Sequence, residues 1–249
     1  MKEIFVFDSG SGGEFVTKEL LRVLPREKFI LFKDEANCPY GTKGKWKLWC
    51  IAKKLLNVAT KNLQPKAIVV ACNTMSCLFE KKIREKYRNT PILFVTPEVD
   101  KEKLREKTLI LATTRTACCN QLSRVKDCDN FIVVGFDDLA KRIDRARVSP
   151  RERADLKLFL LNNLSKYKPL GMKNMVLACT HYVYIKKYLR EIFGNVKFYE
   201  KSKNVAKNLK KLLNDENSEQ NVKDCRPISQ RFREQVKVVA RLEDLTNLH

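Results

Sequence analysis

The chain has 249 residues, with only eight glycines and two histidines. So few glycines exclude collagen-like and Gly-rich low-complexity architectures. No apolar run approaches the roughly 18 residues a membrane helix needs. The first apolar stretch, Ile4 to Phe7, is too short for a signal-peptide core and runs straight into Asp8. A membrane or secreted protein is therefore not expected, and a cytoplasmic one is. The nine cysteines contain no CxxC pair, and His181 is the only histidine besides the last residue, His249. A zinc ribbon or a thiol-redox motif is disfavoured on that spacing. Nine is odd, so at least one thiol stays unpaired, and a chain of this length needs no disulfide staples. Acid is also scarce: 29 Asp and Glu stand against 50 Lys and Arg, a net charge of +21. That surplus suits a polyanion such as nucleic acid, or an anionic substrate. The basic residues, however, recur in separate short groups such as Lys141, Arg142, Arg145 and Arg147. Most have the spacing of solvated helix faces.

What is present alternates. Short β-rich apolar runs (Ile4–Phe7, Phe29–Phe32, Ala67–Ala71, Ile92–Val95, Thr108–Ala112, Phe131–Val134, Met175–Ala178, Val196–Tyr199) are separated by amphipathic stretches. The clearest of these are Phe15–Val23, Trp46–Leu63, Cys77–Tyr87, Arg151–Ser165, Tyr184–Phe193 and Val205–Leu213. Apolar strands with helical crossovers predict an α/β protein with mainly parallel, buried sheets. Eight strands suggest two α/β domains. The polar segment Asn214–Lys223 reads as a loop, and a last helix is expected over Ser229–Leu242. One internal echo stands out. Val69-Val70-Ala71-Cys72-Asn73-Thr74 is matched by Val176-Leu177-Ala178-Cys179-Thr180-His181.

Ligands of open α/β sheets bind beyond the C-terminal strand ends. Cys72 and Cys179 both fall there, as do Asp8 and Ser9. A single cysteine is more often a small buried apolar residue than a nucleophile. For a matched pair at strand ends that reading is weaker, and the internal histidine two residues after one of them suits tuning a thiol or relaying its proton. The loop Asp8-Ser9-Gly10-Ser11-Gly12-Gly13 uses three of the eight glycines. It lacks the GK[ST] of a P-loop, and Phe15 occupies the third glycine position of a dinucleotide fingerprint. Phosphate or carboxylate binding and a tight strand-to-helix turn remain equally open for it.

In order along the chain, these motifs resemble the glutamate racemases of the cofactor-independent aspartate/glutamate racemase superfamily. The resemblance rests on Phe7-Asp8-Ser9-Gly10 with Gly12-Gly13, Asp34 with Pro39-Tyr40-Gly41, Ala71-Cys72-Asn73-Thr74 with Ser76, and Cys179-Thr180-His181-Tyr182. Weaker matches are Thr113, Thr116, Val205-Ala206 and the region of Phe232. It implies two similar α/β domains related by a pseudo-twofold, with the active site in the cleft between them. Residues 1–94 with 206–249 would form one domain and 95–205 the other. It implies catalysis by Cys72 with Asp8 and by Cys179 with His181. Ser9, Asp34, Tyr40, Gly41, Asn73, Thr74, Thr113, Thr116 and Thr180 would bind glutamate. No cofactor and no metal is implied. A homodimer, a role in peptidoglycan synthesis and at most weak nonspecific nucleic-acid binding are expected.

The departures from the family pattern are Glu14, Lys33, Met75, Val183 and Glu200-Lys201. In addition, Phe136 stands where the family has a glutamate near the histidine, with Asp137 one position on. The alternatives are a racemase of another amino acid such as aspartate, a basic nucleic-acid-binding protein on a decayed racemase scaffold, or a thiol-redox or metal protein.

Overall fold

The computed structural model describes residues 2–97, 99–213, 226–246 and 248. The expected loop over Asn214–Lys223 lies outside the described residues. Strands β1 (Ile4–Asp8), β2 (Phe29–Lys33), β3 (Ala67–Val70) and β4 (Ile92–Phe94) join β9 (Val236–Val239) in one sheet, ordered β4-β3-β1-β2-β9. Strands β5 (Thr108–Thr113), β6 (Phe131–Phe136), β7 (Asn174–Ala178) and β8 (Lys197–Tyr199) form a second sheet, ordered β6-β5-β7-β8. Every strand pair is parallel. Apart from β9 the two sheets share one order: the second strand, the first, the third, the fourth. The internal echo in the sequence is therefore a structural one, with β3 and β7 in equivalent places.

The helices are α1 (Gly12–Val23), α2 (Lys45–Val58), α3 (Asn73–Lys86), α4 (Thr114–Ala117), α5 (Asn120–Ser123), α6 (Leu139–Val148), α7 (Pro150–Leu164), α8 (Lys186–Phe193), α9 (Ser202–Leu212), α10 (Ile228–Gln235) and α11 (Leu242–Thr246). They cover both faces of each sheet, which explains the unbroken apolar strands. Successive residues of β1 point to opposite faces. Ile4 and Val6 pack with Val16 and Leu20 of α1 and with Val205 and Leu209 of α9. Phe5 and Phe7 pack with Leu48 of α2 and Phe79 of α3. In the second sheet, Leu109 and Leu111 meet α6, α7 and α8, while Ile110 and Ala112 meet Leu122 and Val125.

Helix α7 has a strong start signal. Ser149 accepts a hydrogen bond from the Glu152 N–H, and Pro150 occupies the first turn.

The helix expected over Ser229–Leu242 is corrected. Helix α10 ends at Gln235, and Val236–Val239 is a strand paired with β2. Val236, Val238 and Val239 are β-branched and suit an extended edge better than a helix. The open side of β2 offers them backbone partners. Helix α6 is not among the clearest amphipathic stretches of the sequence, because its five apolar residues are matched by five charged ones.

In each sheet the chain leaves the first strand toward one side and the third toward the other. The crevice for ligands opens between those two strands. These switch points carry Asp8 and Cys72 in one domain, Thr113 and Cys179 in the other. The two strand-end sets face each other.

Candidate active site

Cys72 lies two residues beyond β3 and immediately precedes α3; Cys179 directly follows β7 and immediately precedes a 3₁₀ turn, Thr180–Ile185. Both are buried. The Cys72 Sγ lies 3.9 Å from the Ser9 hydroxyl. Burial first, then the charge of Asp8, pushes the Cys72 thiol up. Cys179 Sγ lies 3.8 Å from His181 Nδ1. The charge of Cys179 reaches Cys72 as well and adds to that upward push.

Asp8 is fully buried. Its carboxylate accepts hydrogen bonds from the Gly10 N–H at 2.9 Å and, across the cleft, from the Thr180 hydroxyl at 3.1 Å. Burial dominates and holds the Asp8 carboxyl above its ordinary range, although His181 and these donors pull the other way.

His181 is held on both ring nitrogens. Its Nε2 meets Asp144 Oδ2 at 3.3 Å, and Asp144 also accepts from the Ser11 hydroxyl. Burial works to strip the imidazole of its proton. The bonds to Asp144 and Cys179, with Asp8 nearby, outweigh burial and raise the ring well above its usual range. Asp144 itself is kept low. Burial opposes this, but His181, Ser11 and Arg147 prevail.

The carboxylate beside His181 comes from a residue that sequence reading missed. Phe136 packs its ring 5.9 Å from that of Phe159, while the carboxylate comes from Asp144, one turn into α6. The available signal was a lone acid in a helix whose other charges are Lys141, Arg142, Arg145 and Arg147.

The remaining candidates divide into two groups. Thr74, from the first domain, and Thr113 and Thr116, from the second, form a hydroxyl triangle with sides of 3.0, 3.1 and 2.9 Å. Gly41 lies against it: a Cβ there would sit 2.6 Å from that of Thr113. Asp34, by contrast, supports its own loop. It accepts hydrogen bonds from the Tyr40 hydroxyl at 2.6 Å and the Asn37 amide at 2.9 Å. Asn73 is buried at the start of α3 and lines a cavity of about 490 Å³ with Thr96 and Lys201.

The domains meet with little room. A Cβ on Gly12 would lie 2.1 Å from Thr180 Oγ1 and 2.9 Å from the backbone nitrogen of His181. Two of the departures from the family pattern also find partners. Glu14 accepts from Lys33 at 3.3 Å and, across the domains, from Arg147 at 3.0 Å. Beside Asp144 a cavity of about 520 Å³ opens to solvent, lined by Gly10, Ser11, Cys38 and Lys141 among others; neither Cys72 nor Cys179 is in its lining.

No protein-family model matches the chain. Individual relatives do. A glutamate racemase of Clostridium acetobutylicum is 32% identical over 219 residues, covering 84% of this chain and 83% of that protein. The chain belongs to the glutamate racemase family. Glutamate racemase 2 of Bacillus subtilis agrees, at 31% identity over 226 residues, 86% of this chain and 83% of the relative. Among solved structures, a glutamate racemase from Francisella tularensis in complex with D-glutamate superposes with a TM-score of 0.73 at 24% identity, covering 98% of each chain. A glutamate racemase isoform from Bacillus anthracis gives 0.72 at 20% identity, covering 96% of this chain and 97% of its own. At those identities the structural likeness establishes the two-domain α/β fold, and the family rests on the sequence relatives.

Proposed function

We propose that the protein interconverts L- and D-glutamate without a cofactor, using Cys72 and Cys179 as the two bases. The observation that carries this reading is the pair of strand-end thiols contributed by opposite domains, with His181 3.8 Å from Cys179 and the charge of Asp8 acting on Cys72. Racemisation removes a proton from one face of Cα and returns one to the other, so a base and an acid must flank the carbon. With L-glutamate, the Cys179 thiolate takes the Cα proton and the Cys72 thiol donates to the opposite face. With D-glutamate the roles reverse. His181 accepts or returns the Cys179 proton through Nδ1, and Asp8 serves Cys72. Asp144 is a positioning residue that holds the imidazole through Nε2. The Thr74, Thr113 and Thr116 hydroxyls, with Ser9, Asn73 and Thr180, suit the substrate carboxylates and ammonium. Neutral donors bind carboxylate without placing a mobile charge beside the carbanion. Tyr40 and Gly41 complete that wall, and Asp34 acts through Tyr40.

The same reading assigns residues 1–94 and 206–249 to one domain and 95–205 to the other. Packing of Ala206 and Leu209 against β1 supports returning the chain to the first domain after β8; Val205, the last residue given to the second domain, packs there as well. Cytoplasmic location, a homodimer and supply of D-glutamate for peptidoglycan belong to it too, and rest on the family alone.

The test is incubation with L- or D-glutamate in D₂O without added cofactor. The expected result is deuterium at Cα with inversion, and a loss of at least about 100-fold in Cys72→Ser and in Cys179→Ser. Wild-type racemisation of both enantiomers by either variant overturns the two-base assignment. Parallel rates on L- and D-aspartate set the substrate preference.

A further inference from the structure

We propose that Cys38, Asp144 and His181 form a binding site for a thiophilic divalent cation such as Zn²⁺, and that its occupancy inhibits the enzyme. The inhibition rests on the proposed racemase reading; the binding does not. The three residues lie far apart in the sequence and on different elements. Cys38 follows the 3₁₀ turn Glu35–Asn37 of the first domain, Asp144 lies on α6, and His181 follows β7. One donor atom from each, a sulfur, a carboxylate oxygen and a ring nitrogen, falls within 4.8 Å of the others. His181 Nε2 and Asp144 Oδ2 are 3.3 Å apart. Bonds of about 2.0–2.3 Å to a tetrahedral zinc place its donors about 3.3–3.8 Å apart, so a small inward turn of Cys38 closes the set.

Two further observations support a ligand here. The missing side chain of Gly10 leaves free the space between the donors: a Cβ there would lie 2.9 Å from His181 Nε2 and 3.2 Å from Cys38 Sγ. The site also has an entry path, because Cys38, Asp144 and Gly10 line the solvent-open cavity of about 520 Å³. Local charge favours a cation. The carboxylates of Asp144 and Asp8 lie close enough to the Cys38 sulfur for their charges to act on it. Of the bases on the cavity rim, Arg147 pairs with Glu14, and Lys33 with Glu14 and Glu35; Lys141 is the opposing charge.

On binding, the thiol proton of Cys38 and the Nε2 proton of His181 leave to solvent, and sulfur, oxygen and nitrogen lone pairs bond the ion. The fourth position takes water. His181 is then no longer free to carry a proton for Cys179. The two domains become tied together across the mouth of the cleft, Cys38 from one side and Asp144 and His181 from the other.

The experiment uses the full-length, reduced protein. Zn²⁺ binding is measured by calorimetry, and Co²⁺ binding by the thiolate-to-metal charge-transfer absorption. Wild type is expected to bind one ion per chain and to lose racemisation in step with occupancy. Cys38→Ala is expected to keep the metal-free rate, to lose the Co²⁺ thiolate band, and to bind Zn²⁺ at least about 30-fold more weakly. Asp144→Asn weakens binding as well, and Cys119→Ala leaves it unchanged. Equal Zn²⁺ affinity in wild type and Cys38→Ala, or no stoichiometric binding by wild type, overturns the site. Binding as expected in a protein that racemises nothing leaves the site standing and overturns the racemase reading instead.

Discussion

Asp8 and Gly12 show how closely the site is built at the level of single residues. Asp8 is buried and its carboxyl is held above the ordinary value, chiefly by burial. A raised acid binds more protons in the folded state, so Asp8 lowers stability as pH rises past 3.8, its unfolded value. Asp8→Asn is therefore expected to raise neutral-pH stability by about 1 kcal/mol while racemisation collapses. A thermal melt and an assay on the same sample check it; a drop in the melting temperature counts against the argument. Gly12→Ala acts by contact. A methyl group 2.1 Å from Thr180 Oγ1 must push the domains apart. The expected outcome is a loss of about 1–3 kcal/mol together with most of the activity, and near-wild-type turnover would refute the close approach. Asp8, Cys72, Cys179 and His181 were legible in the sequence, because each sits beside a strand end in a recognisable string. Asp144 was not: a helix face has no motif, and only the fold brings it to His181.

Among the elements, β9 and α6 carry the main differences between sequence reading and structure. In β9, Val236 and Val239 are buried, and Leu245 in α11 is fully buried beyond it. Removing residues 236–249 uncovers one edge of β2 and about three buried apolar side chains, worth about 1.5–3 kcal/mol each. The truncated protein is expected to melt roughly 10–20 °C lower and to aggregate through the exposed strand edge. An unchanged melting curve would show that β9 is dispensable. The helix expected there follows from a spacing shared by both structures, since Val236, Val239 and Ala240 fit a helical face as well as a strand. Pairing with β2, distant in sequence, decides between them. Helix α6 presents the reverse case. Its bases look like a solvated face, yet Arg147 reaches across the cleft to Glu14.

The whole molecule is two parallel sheets that share one four-strand order, with their strand ends joined by polar contacts across the cleft. Glu14 joins Lys33 of its own domain to Arg147 of the other. Burial works to raise Glu14, but Arg147 and then Lys33 outweigh it and hold it below its ordinary value of 4.5. A depressed carboxyl lends stability above its unfolded value and loses it as pH falls through the lower folded one. Glu14→Gln should thus flatten the acid limb of the stability profile below about pH 4.5. Because the pair is partly exposed, the effect at neutral pH stays under about 1 kcal/mol. An acid limb identical to wild type would remove Glu14 from this role. The charge of +21 acts at the same scale. Self-repulsion of the folded chain is screened by salt, so raising NaCl from about 0.02 to about 0.3 M is expected to raise the melting temperature by a few degrees. A flat or falling response would mean the basic groups are locally compensated.

By itself, the sequence determined the parallel α/β class, the repeat of an apolar strand ending in Ala-Cys, and the residues flanking each thiol. These are local properties: strand period, turn chemistry and neighbours within a few positions along the chain. Only the tertiary structure decided that Asp144 holds His181, that Glu14 and Lys33 are joined through Arg147 to the other domain, and that Cys38 converges on the same histidine. Those partners are separated by long stretches of chain. Two sheets closing on one cleft bring them within bonding distance, and no periodicity along the sequence records that approach.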